Sequence, residues 1–257
     1  TELGPTDYDV YAKGGVPDLS DMIRIDICAD QLARHPAKLP IKADAGPMMA
    51  ALLPMMLPAN RNGAARAEAT RNAARAELPG LSPAMPGQLE IVEAIRKSTP
   101  NAIIVGDSTQ PVYAGNLYYD HDRPGGWFNA ATGYGALGYA PGAAVGAAIA
   151  APGTPVVCLI GDGGLQFSPG ELRTAVDEKL PITYVVWNNS GFREIAEAMT
   201  EAKVPVVLGC DPSPLDMEDF AAACGMPFVQ IPQDPVELAD MLETPQDGPR
   251  FLEVQVR

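Results

Sequence analysis

From residue 88 onward the chain alternates between short apolar runs and stretches with helical spacing. A helix over 88–97 leads into AIIVGD (102–107), a Gly/Ala-rich helix over 140–150 into PVVCLI (155–160), and a helix over 169–178 into PITYVVWN (181–188). Helical stretches over 192–201 and 216–223 precede PFVQI (227–231), and a last helix over 235–243 precedes FLEVQV (251–256). Apolar runs of this length between helices read as strands buried on both faces of a parallel sheet. The pattern predicts an α/β fold, a doubly wound parallel sheet with helices on both faces. Ligands in such sheets sit at the carboxyl ends of strands, so chemistry belongs just after 107, 160 and 188.

Before residue 88 the pattern weakens. MIRIDI (22–27) predicts one strand, DAGPMMAALLPMML (44–57) a helix, and RNGAARAEATRNAARAE (61–77) a polar helix. LPGLSPAMPG (78–87) then holds three prolines and two glycines, the composition of a linker. The expected division is a partial α/β middle domain over 1–77, a linker over 78–87 and a second domain over 88–257. A single strand needs a pairing partner. Residues 1–77 are therefore expected to dock on something outside this chain, or to be part of a fragment.

The chain has 257 residues, 47% of them hydrophobic, enough for a sizeable core. A formal net charge of −14 argues against nucleic acid and anionic membrane surfaces as partners. An anionic ligand would need local positive potential from backbone N–H groups, a helix terminus or a metal ion. The most apolar stretch, ALGYAPGAAVGAAIAAP (136–152), is mostly Ala and Gly and carries two prolines, which suits a buried helix better than a membrane span. Cys28, Cys158, Cys210 and Cys224 form no CxxC pair, which argues against structural zinc and for a reduced, cytoplasmic setting. The opening TELGPTDYDV has neither the basic nor the apolar region of a signal peptide.

Two glycine clusters remain. GYGALG (Gly133, Gly135, Gly138) fits G-x-G-x-x-G, but RPGGWFNAAT before it does not read as a buried strand, and no acid stands about 20 residues further on. GDGGLQ (161–166) does follow a strand, yet it has Gln166 at the third glycine position and no Gly-Lys-Ser/Thr. Its partner is the pair Asn188–Asn189 after the next strand. Asp162 and Asn189 reach the same sheet edge if one right-handed crossover joins the two strands. Ser168, Pro169 and Glu171 read as a capping box opening the intervening helix. One carboxylate and one amide oxygen form a sparse, hard-oxygen site that suits Mg²⁺ carrying a phosphorylated ligand. Gly163 and Gly164 let backbone N–H groups approach an anion. The competing reading makes the glycines a tight turn, Asp162 its cap and the asparagines ordinary turn residues.

Gly-Asp-Gly, a gap of 24 residues (164–187) and Asn-Asn resemble the thiamine diphosphate (ThDP) enzymes of the acetolactate synthase and 2-oxo acid decarboxylase family. The resemblance implies that Asp162, Asn189 and the carbonyl of Gly191 bind Mg²⁺, with Gly161, Gly163 and Gly164 along the diphosphate. GYGALGYAPGAAVGAA (133–148) looks like the segment that cradles the aminopyrimidine. There Leu137 would prop the cofactor into its bent form, and the Gly135 carbonyl would accept from its amino group. GDSTQPVYAG (106–115) resembles the loop over the diphosphate, which makes Ser108, Thr109 and Gln110 candidates. Residues 1–9 and 22–46 look like the last part of the family's middle domain.

The implied activity is decarboxylation of a small 2-oxo acid. The alternatives are an acetolactate synthase-type carboligase, or a diphosphate-binding module without catalysis of its own. The family's activating glutamate lies in a pyrimidine-binding domain that nothing here resembles. This chain is therefore expected to supply half a site, completed by another domain or chain in a homo- or hetero-oligomer. Yeast-type pyruvate decarboxylases carry a glutamate where Ile195 stands here, beside Glu194, which points away from a simple pyruvate decarboxylase. Phe192, Ile195 and Met199 are either pocket residues or the apolar face of an ordinary helix. His121 reads as a surface histidine rather than a catalytic acid, and His35, between Arg34 and Pro36, as exposed.

Overall fold

The computed structural model describes residues 20–56, 62–120, 123–132 and 135–256. His121 and Gly133 lie outside them. The chain forms two compact units, Thr1–Ala69 and Thr70–Arg257. In the first, β1 (Ile23–Asp26) pairs in parallel with β2 (Leu39–Lys42), joined through α1 (Ala29–Ala33). The strand at 22–27 therefore has a partner within the chain. LPIK, short and with a proline inside it, carried little strand signal. Next come α2 (Ala45–Leu52), opened by Asp44 accepting from the Gly46 N–H, and α3 (Gly63–Leu81), which contains the division between the units.

The 78–87 segment is mostly helical. α3 continues through Pro79, and α4 (Met85–Ser98) starts with Pro86 in its first turn. A proline inside a helix loses one backbone bond, but packing compensates here. Leu78 is buried against Leu89 and Ala114, and Arg75 pairs with Glu93 at 2.8 Å.

The second unit continues with β3 (Ile103–Gly106), α5 (Gln110–Tyr118), β4 (Trp127–Asn129), α6 (Tyr139–Ala150), β5 (Val156–Gly161), α7 (Asp162–Leu165) and α8 (Gly170–Asp177). It closes with β6 (Ile182–Asn188), α9 (Arg193–Glu201), α10 (Met217–Cys224), β7 (Phe228–Pro232), α11 (Pro235–Glu243) and β8 (Arg250–Gln255). The six strands form one parallel sheet in the order β4-β3-β5-β6-β8-β7. Alternate residues of the central strands feed two cores. Cys158, Ile160, Tyr184 and Val186 face one core with α6, α8 and α10. Val157, Leu159, Val185 and Trp187 face the other with α4 and α11. This is the predicted doubly wound α/β sheet. WFN within RPGGWFNAAT is strand β4, at the sheet's edge, and its three residues are too short for a buried-strand pattern.

Two local readings change. Ser168 does not cap α8; its Oγ donates to the Gly138 carbonyl at 2.8 Å, and Pro169 holds the N-cap position. The stretch from Gln110 is a helix as well as a loop, with Pro111 in its first turn.

Candidate functional site

The site forms where β3, β5 and β6 end side by side. β5 runs into Gly161 and turns at once into α7, which starts at Asp162. Asp162, Gly163 and Gly164 are all buried there. Tight packing demands the glycines. A Cβ on Gly163 would enter the Phe192 ring, and one on Gly164 would lie 2.7 Å from Asp107 Oδ1. Burial pushes the Asp162 carboxyl above its ordinary value, while the backbone N–H groups of Asn189, Gly191 and Gly163 pull it back down.

β6 ends in the two asparagines, and they do different work. Asn188 turns toward the sheet, donating to Glu253 Oε1 at 2.6 Å and accepting from the Ser190 N–H at 3.1 Å. Asn189 faces the site and donates from Nδ2 to Gln110 Oε1 at 3.0 Å. Its Oδ1 then lies 2.8 Å from the Gly191 carbonyl oxygen and 3.3 Å from Asp162 Oδ1. Ser190 at φ 60° and Gly191 at φ 144° turn the chain there, and a Cβ on Gly191 would strike the Cys210 carbonyl.

Three oxygens thus come together with no side-chain donor between them, while backbone N–H groups reach the Asp162 carboxylate. Rotating the Asn189 amide would aim its NH₂ at both neighbours but face its oxygen to Gln110 Oε1, another acceptor. A cation relieves both contacts at once. Adjacent oxygens around octahedral Mg²⁺ at about 2.1 Å lie about 3 Å apart, which matches these separations. Among the described residues no three His, Cys, Asp or Glu side chains cluster to bind a metal. One carboxylate, one amide oxygen and one carbonyl suit a hard cation, not zinc. The donor set fits.

β3 supplies the opposite wall. Ser108 Oγ donates to the Gly135 carbonyl at 2.8 Å, so that carbonyl already has one donor. Thr109 is buried with its Oγ1 3.1 Å from where a Gly161 Cβ would lie. Gln110 Oε1 accepts from both Trp187 Nε1 and Asn189 Nδ2 at 3.0 Å, tying β3's end to β6's. Leu137 is half-buried just before α6. Phe192 packs on Gly163, Met199 is half-buried, and Ile195 is half exposed at 50%.

Sequence reasoning missed Asp107. Wholly buried, its carboxylate accepts from the N–H groups of Gly138 at 3.2 Å and Ala140 at 3.0 Å. Burial pushes its carboxyl above the ordinary value. A signal was present, since Gly-Asp ends β3 just as Gly-Asp ends β5. Arg193 was also missed. A cavity of about 240 Å³ adjoins Asp162, with Gln166, Ser190, Arg193, Asp211 and Met217 among its lining.

The cleft lies at the carboxyl edge of a doubly wound sheet, where folds of this class bind their ligands. The chain belongs to the thiamine pyrophosphate enzyme family, whose C-terminal TPP binding domain matches residues 107–254. It is 32% identical to "Probable 2-ketoarginine decarboxylase AruI" of Pseudomonas aeruginosa, over 93% of this chain and 42% of that protein. It is 35% identical to the acetolactate synthase of Bacillus subtilis, over 47% of this chain and 21% of that one. The chain therefore spans less than half the length of these curated relatives. In fold it resembles the thiamine diphosphate-dependent 4-hydroxybenzoylformate decarboxylase of Rhodococcus jostii RHA1, with a TM-score of 0.74 and 22% identity over 94% of this chain and 45% of that one. Among the described residues no helix is long and apolar enough to cross a membrane.

Proposed function

We propose that this chain supplies the diphosphate- and metal-binding half of a ThDP- and Mg²⁺-dependent 2-oxo acid decarboxylase. The observation that carries the reading is that Asn189 Oδ1 meets Asp162 Oδ1 and the Gly191 carbonyl with no side-chain donor between them. These groups would hold Mg²⁺. The backbone of Gly161, Gly163 and Gly164 would line the diphosphate, with Ser108, Thr109 and Gln110 opposite. Leu137 and the Gly135 carbonyl would border the aminopyrimidine. When bound, ThDP supplies the electron sink that lets a 2-oxo acid lose CO₂. The chain's own part is to anchor, orient and exclude water. The buried Asp162 and the Phe192 ring over Gly163 would limit solvent access from that side.

A relative that aligns over 93% of this chain bears a decarboxylase name, which favours decarboxylation. The B. subtilis alignment supports a second reading, an acetolactate synthase-type carboligase. Product analysis with pyruvate separates them: an aldehyde alone favours the first, an acetohydroxy acid the second. In both, a pyrimidine-binding domain or chain completes the site and brings the activating glutamate, within a cytoplasmic homo- or hetero-oligomer.

The metal assignment predicts that Asp162→Asn in the assembled enzyme loses Mg²⁺-dependent ThDP binding, by about 100-fold or more. Calorimetry measures it, and an unchanged ThDP affinity sinks the assignment.

A further inference from the structure

The turn that carries Asn189 and Gly191 has strained geometry, with Ser190 and Gly191 both at positive φ. Something must hold it. Its N–H groups are met by Asn188 Oδ1 and the Asp162 carboxylate, and on its carbonyl side Arg193 reaches back over it with its whole guanidinium. Nε donates to the Asn189 carbonyl at 3.0 Å and Nη2 to the Ser190 carbonyl at 2.6 Å. Nη1 donates to Asp211 Oδ1 at 2.6 Å, on a second segment that presses on the same turn. There the Phe192 N–H donates to the Cys210 carbonyl at 3.0 Å, and Pro212 Cδ lies 3.4 Å from where a Gly191 Cβ would be.

We infer that Arg193 is a positioning residue for the metal site: it fixes the backbone of the Asn189–Gly191 turn and latches the Cys210–Pro212 segment against it. The role rests on the Mg²⁺ reading above. It requires arginine rather than a positive charge. Three donors in one plane meet three acceptors on two segments, a geometry that an ammonium on a flexible stem cannot reproduce. The Arg193–Asp211 pair is itself partly exposed, 38% and 75% for the two side chains, so its ionic part adds little. The two carbonyl contacts do most of the positioning. Loss of groups that orient metal ligands commonly costs 10–100-fold in metal affinity.

The test titrates Mg²⁺ into the assembled enzyme at saturating ThDP, for Arg193→Lys, Arg193→Gln, Asp211→Asn and Asp162→Asn. The metal-free thermal midpoint of each is measured alongside. Both Arg193 variants are expected to weaken Mg²⁺ by about 10-fold or more with the metal-free midpoint near wild type. Asp211→Asn, which keeps an acceptor, is expected to change it less than about threefold. Wild-type Mg²⁺ affinity in both Arg193 variants, with Asp162→Asn impaired, overturns this role alone. Full rescue by Arg193→Lys overturns the geometric argument. Unimpaired Asp162→Asn overturns the metal reading and this role with it.

Discussion

At the scale of single residues, Asp107 does more than its lone carboxylate suggests. Its two oxygens accept from different N–H groups, Gly138 on Oδ1 and Ala140 on Oδ2, and Oδ1 also abuts Gly164. It thereby joins the end of β3, the start of α6 and the glycine turn after β5. Asp107→Asn would set an NH₂ against one of those N–H donors. A protonated carboxyl keeps an oxygen on that side, whereas the amide does not. The substitution is expected to cost about 1–3 kcal/mol. Folding raises this pKa, so the group's contribution to stability is complete below the ordinary carboxylate value and declines as pH rises through the raised one. The deficit of Asp107→Asn should therefore be largest in acid and narrow toward neutrality. Denaturant unfolding of both proteins at acid and neutral pH measures this; a deficit that widens with pH contradicts it. Asp162, Asn189 and the glycines were legible as residues because type and interval recur together. The roles of Asp107 and Arg193 were not, since the contacts by which they join separate segments lie 31 and 18 positions away at Gly138 and Asp211.

At the scale of elements, the start of α6 concentrates the constraint. Gly138 sits at φ 80°, its carbonyl accepts from Ser168 Oγ, and a Cβ there would lie 2.5 Å from Phe167 Cβ. Gly138→Ala should cost about 1–3 kcal/mol through backbone strain and displacement of the turn after α7. A lower thermal midpoint together with weaker ThDP binding is the expected result. An unchanged midpoint refutes it. Most helices and central strands were legible from periodicity, because a buried strand must be apolar on both faces. The elements that were missed or misread share a different cause. β2 and β4 are too short to show a period, and α3 outlasts Pro79 because Leu78 finds a buried seat. Ser168 could cap a helix by its local sequence, yet its hydroxyl finds the Gly138 carbonyl across the fold.

At the scale of the whole molecule, charge decides how an anionic cofactor can be held. The net charge is −14, and the arginine nearest the candidate metal ligands is already committed to three acceptors. A diphosphate would therefore depend on the cation and on backbone N–H groups for its neutralisation. Chelation with EDTA should weaken ThDP binding to the assembled enzyme by at least about 10-fold while leaving unphosphorylated thiamine unaffected. Equal loss for both ligands would show that the metal acts on the fold and not on the diphosphate.

By itself the sequence determined the sheet's class, and it singled out the strand ends and the glycine and asparagine clusters that form the candidate site. Those follow from local rules: burial on two faces sets the strand pattern, and close approach of backbone sets the glycines. Only the tertiary structure decided that Asn188 anchors to Glu253 while its neighbour faces the site. It also decided that Asn189, Gly191 and Asp162 bring three oxygens together, and that Asp107 and Arg193 hold the segments around them. The contacts to Glu253, Gln110, Gly138 and Asp211 join positions far apart in the chain, and their energy exists only once the sheet has set those positions side by side.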